Sequence, residues 1–262
     1  MPELAEALAS GRVFDLEQLR YAGAPSHPAH QPGFNYFLHR HHARGAAESR
    51  TGASGIVVMP EHSGTHIDAL AHQAENLTLH GGVHVDSGVQ TSAGFRVLGI
   101  ETMAPLVTRG VLLDVAGGQR LAPDHSITVD ELERAAKGAR VEIRAGDVVL
   151  VRTGYGALWS EPAEYLRGAG VSAAGSRWLI EKQVSAVGAD NMAWDVMGPT
   201  DPELGVTLPG HVLLLVRAGV PIIENLNLEE LAAAGVNEFA FVCLPLKMRG
   251  ATGSPVRPIA IA

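Results

Sequence analysis

The stretch 61-EHSGTHIDALAHQ-73 holds three histidines and an aspartate, with Gly64 and Thr65 between the first two histidines. Neutral imidazole and carboxylate together suit Zn²⁺, Mn²⁺ or Fe²⁺, and three protein ligands leave a coordination position for water. His66 and Asp68 are two apart, so on an extended chain both side chains face one way. His62 and His66 are four apart, as are Asp68 and His72, the spacing that shares a helix face. No single regular structure serves all of these residues, and a bend at Gly64-Thr65 would bring His62 back beside His66. Solvated loop histidines with a local Asp–His hydrogen bond are the plainer reading of any one pair. Four candidate ligands within eleven residues favour a bound divalent cation, Zn²⁺ ahead of Mn²⁺. The remaining histidines cluster too: of 12, five lie between His27 and His42 and five between His62 and His84.

The elements that would position this cluster are short. Residues 12-RVFDL-16 and 35-NYFLHRHH-42 read as strands, separated by a Pro- and Gly-rich loop over 23–34. A further strand begins at Gly55 and runs into the histidines. Apolar runs at 110–117, 147–154, 185–190, 220–225 and 239–246 fit strands. Thr128 followed by Glu131 is a capping box that predicts a helix over 128–140, and Ser172 caps another over 172–183. Residues 210–219 fit a buried helix ending at Gly219, although their valines and leucines also suit a strand. A short helix is expected at 228–235. Strands and helices alternate in the second half, which argues an α/β fold, with one domain over 1–262 and residues 1–45 partly an N-terminal arm.

Composition narrows the function classes. The chain has 262 residues, 46% hydrophobic and 18% charged, with a formal net charge of -8. An acidic chain without clustered Lys and Arg argues against nucleic acid or an anionic membrane as partner. No leader of signal-peptide composition and no apolar run of spanning length is present, and a single cysteine, Cys243, excludes an intrachain disulfide. A cytoplasmic protein acting on a small molecule is expected. No phosphate-cradling glycine loop and no nucleophile elbow occurs, and Cys243 lies in an apolar run.

The pattern H-x-G-T-H-x-D-x-x-x-H from His62 to His72 resembles the metal motif of the cyclase superfamily of metal-dependent hydrolases. That family includes bacterial kynurenine formamidase, isatin hydrolase and similar amide and lactone hydrolases. The segments 188-GADNMAWD-195, 211-HVLLLVRAGVPIIEN-225 and 244-LPLKMRGATGSPVRPIAI-261 agree with it. The resemblance implies a swivelling β/β/α fold, with a mixed sheet or barrel-like strands and flanking helices. It implies that His62, His66 and Asp68 hold one ion. In binuclear members the equivalent of Asp68 bridges to a second, whose other ligands match His72, His211 and Glu224. In isatin hydrolase-like members the equivalent of His72 handles protons instead. Ala69-Leu70 stands where many formamidases have proline, which leans towards the isatin hydrolase side.

The expected activity is opening of an amide, imide or lactone by metal-activated water, with His72 or Glu224 as the proton-handling group. A dehydratase or cyclase could use the same ligands, and a non-catalytic metal- or small-acid-binding protein is the third reading. Phe34, Tyr36 and Trp194 are candidate substrate contacts, set against ordinary core packing. Thr65 could hydrogen-bond a ligand. The family tends to form homodimers or homotetramers, and the N-terminal segment could be an exchanged arm.

Overall fold

The computed structural model describes residues 10–43 and 48–262. Strand β1 (Val13–Asp15) is followed by a hairpin of β2 (Asn35–Arg40) and β3 (Ser54–Val58), which forms a sheet of its own. The remaining main strands are β4 (His66–Asp68), β5 (Leu106–Asp114), β6 (Val148–Arg152), β7 (Ala186–Ala189), β8 (Ile222–Glu224), β9 (Glu238–Cys243), β10 (Gly253–Pro255) and β11 (Ile259–Ile261). With β1 they build one nine-stranded sheet in the order β1-β11-β9-β5-β6-β7-β8-β4-β10. Its centre, β5 to β8, is parallel. Both flanks are antiparallel, β9, β11 and β1 on one side and β4 with β10 on the other.

Parallel strands covered on both faces read as continuous apolar runs rather than alternations. In β6 all five residues are buried: Val148 and Leu150 join one core, Val149 and Val151 the other. Each such side chain contributes about 1.5–3 kcal/mol relative to exposure. Leu132 of α1 (Val129–Ala139) and Leu179 of α2 (Ala173–Glu181) close one face, and Leu226, Leu228 and Leu231 the other. Both helices start where their caps predict: the Thr128 hydroxyl accepts from the Glu131 amide, and Ser172 from that of Gly175.

Residues 212–218, whose composition admitted either helix or strand, are helical and wound wide as a π-helix, ended by Gly219 in the left-handed region. β5 begins at Leu106, earlier than apolarity suggested, because Leu106–Arg109 pair with β9. The segment 244–261 supplies two sheet strands, β10 and β11. Of the expected arm, residues 1–9 and 44–45 lie outside the described residues. β1 is part of the main sheet rather than of an arm. The hairpin of β2 and β3 is solvent-exposed along almost its whole length. No helix among the described residues is long and apolar enough to cross a membrane.

Candidate metal centre

His66 and Asp68 occupy one side of β4, as the two-residue repeat predicts, while Ile67 between them packs into the core. β8 sets Glu224 opposite His66, and β10 sets Gly253 opposite Asp68. Gly64 makes the bend before β4 with φ of 63°, a region costly for residues with a side chain. The bend returns His62 to Asp68. Gly253 admits it: a Cβ there would lie 2.6 Å from His62 Cε1 and 2.9 Å from the Ile67 carbonyl oxygen. Arg20 steadies the bend by donating to the carbonyls of Ser63 and Thr65.

The donor atoms converge. His62 Nδ1 lies 2.8 Å from Asp68 Oδ1. His66 Nε2 lies 3.5 Å from Asp68 Oδ1 and 3.4 Å from Glu224 Oε2. His211 Nε2 lies 3.2 Å from Glu224 Oε1 and 3.7 Å from Asp68 Oδ2. A tetrahedral shell with bonds of ~2.1 Å has edges of ~3.4 Å, which most of these separations match. Two triads contain Asp68: His62/His66/Asp68 and Asp68/His72/His211. The other ring nitrogens are committed. His66 Nδ1 donates to the Gly64 carbonyl at 2.8 Å, and His211 Nδ1 donates to Asp195 Oδ2 at 2.7 Å, so each Nε2 is left facing the carboxylates. Carboxylate– and carbonyl–histidine pairs of this kind fix the tautomer that ligates a metal. Asp195 also accepts from the Gly210 and His211 amides, which anchors the turn before the π-helix.

Two observations fit a divalent cation. Asp68 Oδ2 is buried and has no hydrogen-bond partner, a costly state for a carboxylate oxygen without a cation. The charges say the same. Burial pulls the His66 imidazole down, but hydrogen bonds to Asp68 and Glu224 outweigh it and hold its pKa at about 10. His211 is likewise raised against burial by Asp195 and Glu224. Glu224 is lowered to about 2, burial being outweighed by the His211 and His66 imidazoles, and Asp68 lies well below the usual range. Without metal, protons on His66 and His211 balance the buried carboxylates. A divalent ion would bring the same charge to the same place.

The Cyclase family model matches residues 14–196, more than half of the chain. The chain belongs to the cyclase family. "Cyclase-like protein 3" of Oryza sativa subsp. japonica is 27% identical over 270 residues, covering 100% of this chain and 84% of that protein. "Isatin hydrolase" of Roseibium aggregatum is 26% identical over 215 residues, covering 78% of this chain and 73% of that protein. A crystal structure described as a novel cyclase superposes with a TM-score of 0.87 at 28% identity, covering 100% of this chain and 90% of that one. The mixed α/β sheet with flanking helices is the cyclase fold.

In this cyclase-family chain a cavity of about 680 Å³ opens beside His62 and His72. That volume lies within the range of small-molecule sites. Its wall includes Met59, Phe95, Gln90 and His30, none of which the sequence singled out. Trp194 is fully buried; its indole donates to Ser176 Oγ, and its backbone amide donates to Glu224 Oε1 at 2.9 Å. It shapes the centre through its main chain, and its ring is core rather than wall. Phe34 is half-buried and Tyr36 is 53% exposed on the hairpin, and neither lines this cavity. The Thr65 hydroxyl donates to the Asn225 carbonyl and accepts from the Gln18 amide, so it ties three segments together and touches no imidazole. His211, which alone would read as a surface helix-start histidine, is buried. Asp195, Gly253 and His30 were missed because each reaches the centre from far along the chain. The Asp195–His211 pair, sixteen residues apart, carries no local signal.

Proposed function

We propose that this chain is a metal-dependent hydrolase that opens an amide, imide or lactone of a small molecule. The observation that carries the reading is the buried, partnerless Asp68 Oδ2 among imidazoles whose outer nitrogens are already committed. His62, His66 and Asp68 would hold one ion, Zn²⁺ or Mn²⁺, and Asp68, His72 and His211 a second when present. When bound, the ion supplies activation of water and polarisation of the scissile carbonyl.

The chain's own residues supply the rest. Glu224 is 5% exposed, lies between His66 and His211, and accepts from Trp194, so it is placed as a ligand or as their counter-charge. His72 is better placed to move protons. It lines the cavity and its ring makes no hydrogen bond to the described residues. A neutral imidazole there can take a proton from the attacking water and hand it to the leaving nitrogen or oxygen. The 26% identity to an isatin hydrolase supports a cyclic amide as the first substrate to test. A homo-oligomer is proposed as the working form, supported by the exposed apolar hairpin.

The test is a panel of isatin, N-formylkynurenine and simple lactones, with Zn²⁺ or Mn²⁺ and ¹⁸O-labelled water. Hydrolysis places the label in a new carboxylate; turnover without incorporation would point to dehydration or cyclisation instead. His72→Asn should lower kcat by ~10²–10⁴ while the His62/His66/Asp68 ion is retained. Undiminished kcat in that variant would remove His72 from the mechanism.

A further inference from the structure

His30 ends the turn Pro28–His30, more than thirty residues before the metal motif, yet its ring stacks on that of His62 with centroids 4.7 Å apart. His62 and His72 are 4.0 Å apart, and His30 and His72 are 5.9 Å apart. In a straight stack the outer two rings would be much farther apart, so the three imidazoles close into a triangle. Each offers a ring nitrogen within 4.8 Å of the others. His62 Nδ1 faces Asp68, and its Nε2 lies 2.9 Å from Thr252 Oγ1, a contact that an outer ion would have to replace. The rings of His30 and His72 make no hydrogen bond to the described residues, and both face the cavity. Glu61, on the same wall, is occupied by the Thr252 amide and hydroxyl.

We propose that His30, His62 and His72 form an outer, all-imidazole cation site at the cavity mouth, distinct from the carboxylate-containing inner set. Three imidazoles suit Zn²⁺, Cu²⁺ or Ni²⁺. Small ring rotations close 4.8 Å to the ~3.4 Å edge that bonds of ~2.1 Å require. None of the three outer ligands is a carboxylate, although Glu61 Oε1 lies 3.7 Å from His62 Nε2. The triad shares His62 and His72 with the inner triads, and His62 can hold both ions at once only by releasing its ring proton and ligating through both nitrogens. The outer site therefore fills only when the cation is in excess. His30 alone belongs exclusively to it. An ion there takes His72 away from proton transfer, and this consequence alone rests on the hydrolytic reading above.

Zinc titration of the full chain tests the site. The unaltered protein should bind inner zinc and then one weaker equivalent. His30→Ala and His30→Asn should retain the inner zinc and weaken the outer by roughly 100-fold, since disturbing even a ligand's supporting partner costs ~10–100-fold. His66→Ala should do the reverse, losing inner zinc and keeping the outer. In the unaltered chain, the outer equivalent should also shield His30 from diethyl pyrocarbonate, read by peptide mass spectrometry. Equal weak-site affinity with and without His30, or His30 modified at one rate at every zinc level, would overturn the outer site. Failure of the substrate panel would leave the zinc stoichiometry untouched. Turnover slowed equally by excess zinc in both chains would sever the link to His72 alone.

Discussion

Asp68 and His66 show how much of this site is decided by single protonation states. In the metal-free chain His66 has a pKa of about 10 and so carries a proton at pH 7, where an ordinary histidine is mostly neutral. An ion can bind His66 only by displacing that proton. Calorimetric titration at pH 7 in buffers of different ionisation enthalpy should therefore show at least one proton released per zinc bound; none released would mean that His66 is not a ligand. The sign for stability follows from the same shift. A raised folded-state value stabilises fully below ~6.5 and loses that contribution as pH climbs towards 10. Metal-free protein should melt progressively lower over that window, and metal-loaded protein should not. His66→Ala should remove inner metal and turnover, with far-ultraviolet dichroism unchanged. Cys243 takes no part: burial pushes its thiol up to about 12, so it behaves as a small core residue.

At the scale of elements, the centre depends on a three-residue strand, β4, held between two others. β10 matters through what it lacks. A methyl group at residue 253 would press on both the His62 ring and the Ile67 carbonyl. Gly253→Ala should cost about 1–3 kcal/mol and weaken inner metal binding by displacing His62. Thermal melting and metal content check this, and an unchanged zinc affinity would show that the ring has room to move. This geometry also explains what was legible in the sequence. The motif from His62 to His72 could be read because its members are neighbours in the chain, and the bend it needed falls at Gly64. The Thr128 and Ser172 caps were legible because a cap is a local contact. The helix over 212–218 was ambiguous because burial on all sides erases periodicity, leaving only an apolar run. His30 in its turn, Asp195 in a loop and Gly253 in β10 were hidden because contacts between segments far apart in the chain leave no spacing to detect. Trp194 stood between substrate contact and core packing because a large aromatic near a site says nothing about which side of the wall its ring occupies; its ring is core.

For the whole molecule, the conspicuous surface is the hairpin of β2 and β3. Tyr36, Phe37, Leu38, Ile56, Val57 and Val58 are each between 45% and 58% exposed. The register puts Tyr36, Leu38 and Val57 on one face of the hairpin and Phe37, Ile56 and Val58 on the other, so both faces are apolar. Such surface is seldom left to water, and a second copy offers the same surface in a two-fold arrangement. Light scattering should find an oligomer at micromolar concentration. The pair Phe37→Lys and Val57→Glu should shift it towards monomer with little change in the melting of the main sheet. A monomer at every concentration would exclude self-association through the hairpin.

β4 pairs with β8 and β10, strands that follow it by about 155 and 185 residues. During synthesis, then, the histidine motif leaves the ribosome long before either wall of its site exists. At typical elongation of ~5–20 residues per second, the nascent chain spends roughly ten seconds or more with those imidazoles unsheltered. Selection of the right ion is therefore a task for the finished protein, and metal captured earlier is bound by loose histidines rather than by the geometry of the sheet.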